Sequence, residues 1–362
     1  MVWGSQQWPQ WERGLLVVCF LAALMVYLPT ITVLPFGDDW EMFAWAEQYG
    51  TEVFYSQGNF RVWQRLLFAQ AYPLLGDGVL PLVIGLSIAV LLMTARFVMR
   101  VAGRVAPGLT MAPLAVAVLY LFHPANASAV VQIDTFSQNL ADFLALLTIQ
   151  QVVFSAATSR IRSGVAAVAL TVCVLFAKET ALGVLAWIPV AVYLRTRYVN
   201  NAGTKDAFSS ALMAAVAVAF GIALYMWIKT EAGTPMTPSQ TGRYAIQLEP
   251  AKVVLNAIQL WGAALYYGDI ATLFVFGLSP KVVVSGLLSV LLLSAATLGL
   301  VRHLRKAPET PGRLSGDALI WCSFAAPAVV PVVFMGSVSE LYSAGIVPFV
   351  ALGLGLCCAN LC

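Results

Sequence analysis

The chain has 362 residues, 60% of them hydrophobic and only 10% charged, with a mean hydropathy of +0.84. A soluble domain carries about 25% charged residues, so the composition excludes an ordinary water-soluble protein and predicts an all-α polytopic membrane protein. The apolar runs are continuous rather than alternating, which argues against a β-barrel, and a net charge of +3 leaves no nucleic-acid footprint.

Apolar stretches fall at residues 14–34, 79–98, 109–122, 140–157, 164–177, 180–194, 207–228, 282–301, 318–335 and 343–359. They predict about 9–11 transmembrane helices. An amphipathic stretch, 253–277, is interrupted by Gln259, Gly268 and Asp269. The first stretch is too long for a signal-peptide core and has no small-residue cleavage site after it, so it reads as a retained span.

Directly beyond it stand Asp38 and Asp39. Ionised side chains this close to a bilayer are costly and read as functional, although Asp38 could equally be the N-cap of a water-facing helix. The segment 38–78 is the predicted first extracytoplasmic loop, with amphipathic helical patterning and then Arg61 and Arg65. Four residues apart, those two arginines share a helix face, which suits either a phosphate or an anchor to lipid headgroups. After the short stretch 109–122 come His123, whose simplest reading is a cap or packing residue, and Asp134, a second cavity carboxylate or a solvated loop residue.

Lys178-Glu179 interrupts residues 164–194. Read as one span, it would put Arg160/Arg162 and Arg195/Arg197 on opposite sides. Read as a hairpin, it keeps both clusters on the cytoplasmic side, with Arg96, Arg100, Arg104 and most of the other basic residues. Each arm is then about 14 residues, roughly 21 Å, too short to reach the far surface. Lys178 and Glu179 are therefore predicted to lie below the extracytoplasmic plane, in a water-filled depression, where they either neutralise each other or face the cavity. A plain charged turn is the alternative. Glu340 and Tyr342 come late on the same face.

The six cysteines sit in or beside apolar stretches without metal-type spacing and read as small core residues. No P-loop, HExxH, GxSxG or Rossmann fingerprint is present. No repeat or linker divides the chain, so residues 1–362 read as a single transmembrane domain. It stops at Cys362, at the end of an apolar run, which reads as a truncated form of a longer protein.

Four segments, in order, carry a family resemblance: Phe36-Gly37-Asp38-Asp39-Trp40; Phe60 to Phe68 continuing to Leu75-Gly76-Asp77; Leu121-Phe122-His123-Pro124 with Leu140-Ala141-Asp142-Phe143; and Leu175-Phe176-Ala177-Lys178-Glu179-Thr180-Ala181. A fifth, weaker one is Ser339-Glu340-Leu341-Tyr342 before Pro348. Together they resemble the GT-C superfamily of polytopic glycosyltransferases, closest to the protein O-mannosyltransferase-like branch. The chain departs from that pattern in having Asp-Asp where many members have Asp-Glu, in lacking the usual arginine before the late tyrosine, and in carrying no soluble outer domain.

The resemblance implies a polyprenyl-phosphate-linked sugar as donor and a glycan, lipid or protein as acceptor, at the outer face of a bacterial inner membrane. It implies Asp38 as catalytic base with Asp39 beside it, and Lys178 with Arg61 or Arg65 on the donor phosphate. Glu179, Asp134, His123, Glu340 and Tyr342 would line the same cavity. No resident cofactor is implied; the acidic pair could hold a divalent cation, but no third ligand is evident. A transporter or flippase of a lipid-linked sugar is the competing reading, although the internal repeats typical of transporters are missing. An assembly subunit without its own transfer site is a third.

Overall fold

The computed structural model describes residues 10–32, 43, 44, 47, 48, 62–131, 133–155, 160–231, 246, 248–266, 280–305, 315–335 and 340–361. Asp38, Asp39 and Arg61 lie outside the described residues, as do the side chains of Arg65, Asp134 and Glu340.

Among the described residues the chain is helical, with no strand beyond one bridge between Ile246 and Met335. In chain order the helices are α1 (Gln10–Tyr27), α2 (Val62–Leu75), α3 (Val79–Val105), α4 (Ala112–Leu121), α5 (Pro124–Val131), α6 (Ile133–Ile149) and α7 (Arg160–Ala177). Then follow α8 (Leu182–Leu194), α9 (Thr204–Glu231), α10 (Pro250–Leu265), α11 (Pro280–Arg305), α12 (Gly316–Ser323), α13 (Ala325–Val333) and α14 (Val347–Ala359).

Among the described residues, five stretches are helical, long and apolar enough to cross a bilayer: Gly14–Thr32, Gln70–Val105, Thr204–Glu231, Val283–Arg302 and Gly316–Val333. Their outward side chains are apolar, as lipid contact requires: Met25, Val216, Phe220, Leu291 and Leu298 are all exposed. This is an all-α polytopic membrane protein. The other predicted spans are shorter helices. The stretch 109–122 yields only the 10 residues of α4, about 15 Å.

Contacts sort the helix ends into two groups. At one end the Tyr27 hydroxyl donates to the Leu121 carbonyl (2.7 Å), and Asn256 Nδ2 donates to the carbonyls of Val333 and Met335 (2.9 Å each). At the other, Ser315 N–H donates to Val105 O (3.3 Å), and Arg195 bonds both Val153 O (3.0 Å) and Asp317 (2.9 Å). Arg104 of α3 and Arg195 after α8 lie at this second end.

The hairpin reading of residues 164–194 agrees with this geometry. The chain leaves helical conformation at Lys178 (φ −164°, ψ 136°), makes a 3-10 turn over Glu179–Ala181, and continues as α8. Arg195, after α8, lies over the ring of Phe154, just before α7 begins, so both arms start and finish at the same end. α7 and α9 run parallel: Gly221 packs on Val168 and Thr171, and Tyr225 on Phe176.

Glycines set the closest helix contacts. A Cβ at Gly183 would lie 1.9 Å from Pro327 O, and one at Gly299 would lie 1.8 Å from Cys357 O. Because lipid gives helices little hydrophobic drive to associate, such close backbone approach supplies much of the attraction.

Candidate functional site

Two turns and one helix converge at the end of the bundle that holds Lys178. Helix α6 supplies Gln138 and Asp142, one helical turn apart on the same face. The break between α7 and α8 supplies Lys178 and Thr180. The 3-10 turn Glu340–Gly345 supplies Tyr342 and Gly345. Gln138 Nε2 donates to Asp142 Oδ1 (2.7 Å), and Thr180 Oγ1 donates to Gln138 Oε1 (3.0 Å). The Lys178 ammonium sits 5.3 Å from the centre of the Tyr342 ring and is near enough to Asp142 for their charges to interact.

Four of these groups are removed from solvent: Lys178 is 4% exposed, Asp142 9%, Tyr342 6% and Gln138 2%. A small cavity of about 10 Å³ lies among Gln138, Asp142, Thr180, Tyr342 and Gly345, room for about one water. At Gly345 a Cβ would come within 3.3 Å of Asp142 Oδ1 and 3.4 Å of Gln138 Nε2. Glycine thus keeps the carboxylate and amide clear of a neighbouring side chain.

Lys178 and Glu179 do not neutralise each other. Consecutive residues leave an extended break in different directions. Glu179 turns to α9, where its Oε1 accepts from the Tyr225 hydroxyl (2.6 Å) and from Lys229 Nζ (3.0 Å). The hairpin tip therefore feeds two separate polar clusters.

His123 serves as a structural link. Its Nδ1 accepts from the Ala125 N–H (3.2 Å), so the proton resides on Nε2, which donates to Ala264 O (3.0 Å). Burial pushes its pKa down to about 4, against the opposing effect of the Ala264 bond. The neutral ring pins the α4–α5 turn to the end of α10. Asn126 is buried in the same turn and donates to the Tyr120 carbonyl.

The structure thus brings Lys178 and Tyr342 together, places Glu179 in a neighbouring cluster, and joins His123 to the end of α10. Sequence reasoning does not single out Asp142, Gln138, Tyr225 or Lys229 as site residues. One signal is present: Asp142 is a lone acid inside the apolar run 140–157, the kind of residue that reads as functional within a membrane. Comparison with family models, with known proteins and with solved structures finds no match to this chain.

Proposed function

We propose that this protein is an inverting glycosyltransferase, which moves a sugar from a polyprenyl-phosphate donor to an acceptor hydroxyl on the extracytoplasmic face of a bacterial inner membrane. One observation carries the reading: a lysine ammonium retained in a buried site, at a break in a helical hairpin, over a tyrosine ring. A charge held at such depth is costly, and this one is kept there beside the Tyr342 ring and within reach of Asp142. A phosphate anion is a natural further partner.

In this mechanism Lys178, assisted by Arg61 or Arg65, holds the donor phosphate. Asp142 and Gln138 position the lysine from below. The acceptor oxygen attacks the anomeric carbon, its proton passes to the carboxylate of Asp38 with Asp39 alongside, and the bond to the phosphate oxygen breaks with inversion. The proton acceptor must lie within hydrogen-bond reach of the hydroxyl. The fixed ammonium stabilises charge growing on the departing polyprenyl phosphate.

The test is transfer of labelled sugar from polyprenyl phosphate in isolated membranes. Asp38→Asn should lower the rate by about 10²-fold or more, and Lys178→Ala should raise the apparent KM for donor far more than that for acceptor. Wild-type transfer by Asp38→Asn removes the base assignment. Movement of donor across vesicles without its consumption would make the protein a transporter.

A further inference from the structure

We infer that the outward face of α3 binds an anionic phospholipid, with Arg96, Arg100 and Arg104 on its phosphate and an acyl chain along Leu82, Ala89 and Met93. From Leu82 to the end of the helix at Val105, the exposed residues of α3 are Leu82, Ala89, Met93, Arg96 and Arg104, and Arg100 is half-buried. At 3.6 residues per turn all six fall on one face, within about a quarter of the helix circumference. Gly85 lies on the same face, and a Cβ added there would meet nothing within 4 Å. The buried residues Val83, Ile84, Leu91, Val98 and Ala102 turn the other way, into the bundle.

That face changes chemistry once along its length. Its apolar part, Leu82 to Met93, rises about 17 Å, close to the ~15 Å hydrocarbon depth of one leaflet. Its basic part, Arg96 to Arg104, rises about 12 Å more and stops beside Val105, whose carbonyl accepts from Ser315 N–H. Three guanidinium groups thus follow the apolar part at the level of the lipid headgroups. Successive arginines are one turn apart, and the charges of Arg96 and Arg104 both act on Arg100. Like charges held this close favour an anion among them. A phosphate diester fits, because a guanidinium fork can bond two of its oxygens at once. Asp317, at the same end of the bundle, is engaged by Arg195. A choline headgroup would set its own positive charge against the three arginines, whereas a glycerol headgroup brings none. This assignment is independent of the transferase reading, because the arginines stand at the opposite end of the bundle from Lys178 and have no part in the transfer step.

The test is native mass spectrometry of the delipidated full chain in detergent, titrated separately with dipalmitoyl lipids bearing glycerol or choline headgroups. Each basic residue beside an anionic headgroup is worth about fivefold in affinity, so the glycerol lipid should bind about 10- to 10²-fold tighter than the choline lipid. Arg96→Gln alters one exposed position and should lower the affinity for the glycerol lipid about fivefold. Changing all three arginines to glutamine should erase the preference. Lys205→Gln removes an exposed positive charge at the start of α9, off this face, and should leave the preference intact. Ala89→Trp fills an exposed position in the apolar part, should leave the circular dichroism spectrum unchanged, and should weaken the glycerol lipid about tenfold. Equal affinity for the two headgroups would overturn the proposal, as would undiminished binding by Arg96→Gln or by Ala89→Trp. So would loss of the preference in Lys205→Gln, which would make the attraction one of overall charge. Efficient disulfide cross-linking between copies through Met93→Cys would also overturn it, by giving the face to a second protomer.

Discussion

Replacing Lys178 with methionine keeps the length of the side chain and removes its charge from a site that is 4% exposed. Two losses follow. The cation over the Tyr342 ring is worth about 0.5–2 kcal/mol. The carboxyl group of Asp142, 9% exposed, also loses a nearby positive charge that works against the cost of its burial. Losing both should destabilise the fold by about 1–3 kcal/mol. Asp142→Asn removes the same charge interaction from the other side and should cost about as much, although the amide can still bond Gln138. The double variant loses that interaction once rather than twice, so it should cost about 1–3 kcal/mol less than the sum of the two single changes. Tyr342→Leu removes the ring together with its hydroxyl and should cost about 1 kcal/mol in charge–ring attraction beyond its loss of packing and polar contact. The assay is equilibrium unfolding in mixed micelles, followed by circular dichroism, on all four variants. Additivity of Lys178→Met and Asp142→Asn to within about 0.5 kcal/mol would show that the two charges do not depend on each other, and the paired-charge site would be wrong.

Three other outcomes follow from the packing. Gly299→Ala and Gly183→Ala put a methyl against backbone carbonyls that cannot move aside, so each should cost about 1–3 kcal/mol. Gly164→Ala and Gly286→Ala meet nothing within 4 Å and should be neutral or stabilise by up to about 1 kcal/mol; thermal unfolding in detergent separates the two pairs. His123 binds its proton less readily folded than unfolded. Its contribution is therefore complete above pH 6.5 and fades as the pH falls toward about 4, for a loss of about 3 kcal/mol. A His123→Gln variant should show a flatter pH–stability curve over that range. Arg195→Lys surrenders the forked bond to Asp317 and the bond to Val153 O. It should lower stability by about 1–2 kcal/mol, measured the same way; an unchanged melting temperature would mean that this link does not hold the helix ends together.

About half of the candidate site is legible in the sequence alone. Lys178 stands out because a charge inside an apolar run is conspicuous in one dimension. Its partner ring shows only through a short late motif, Ser339 to Tyr342. Asp142 reads as one motif residue among several, since its importance lies in what surrounds it. The Glu179 cluster depends on Tyr225 and Lys229, 46 and 50 residues further along the chain, and no local pattern connects them.

Composition and the order of apolar and basic segments determined that the chain is an all-helical membrane protein, that 109–122 is too short to cross, and that the chain reverses at Lys178. These properties are set by transfer of each segment out of water and by the backbone's need to bond within itself, both of which are local. Only the tertiary structure decided that Lys178 and Glu179 face different neighbours, that His123 bonds the end of α10, and that α7 and α9 run side by side over an apolar groove. Those outcomes depend on which surfaces approach closely enough to exclude lipid, a choice made by small residues such as Gly221 and Gly299 meeting backbone distant in sequence.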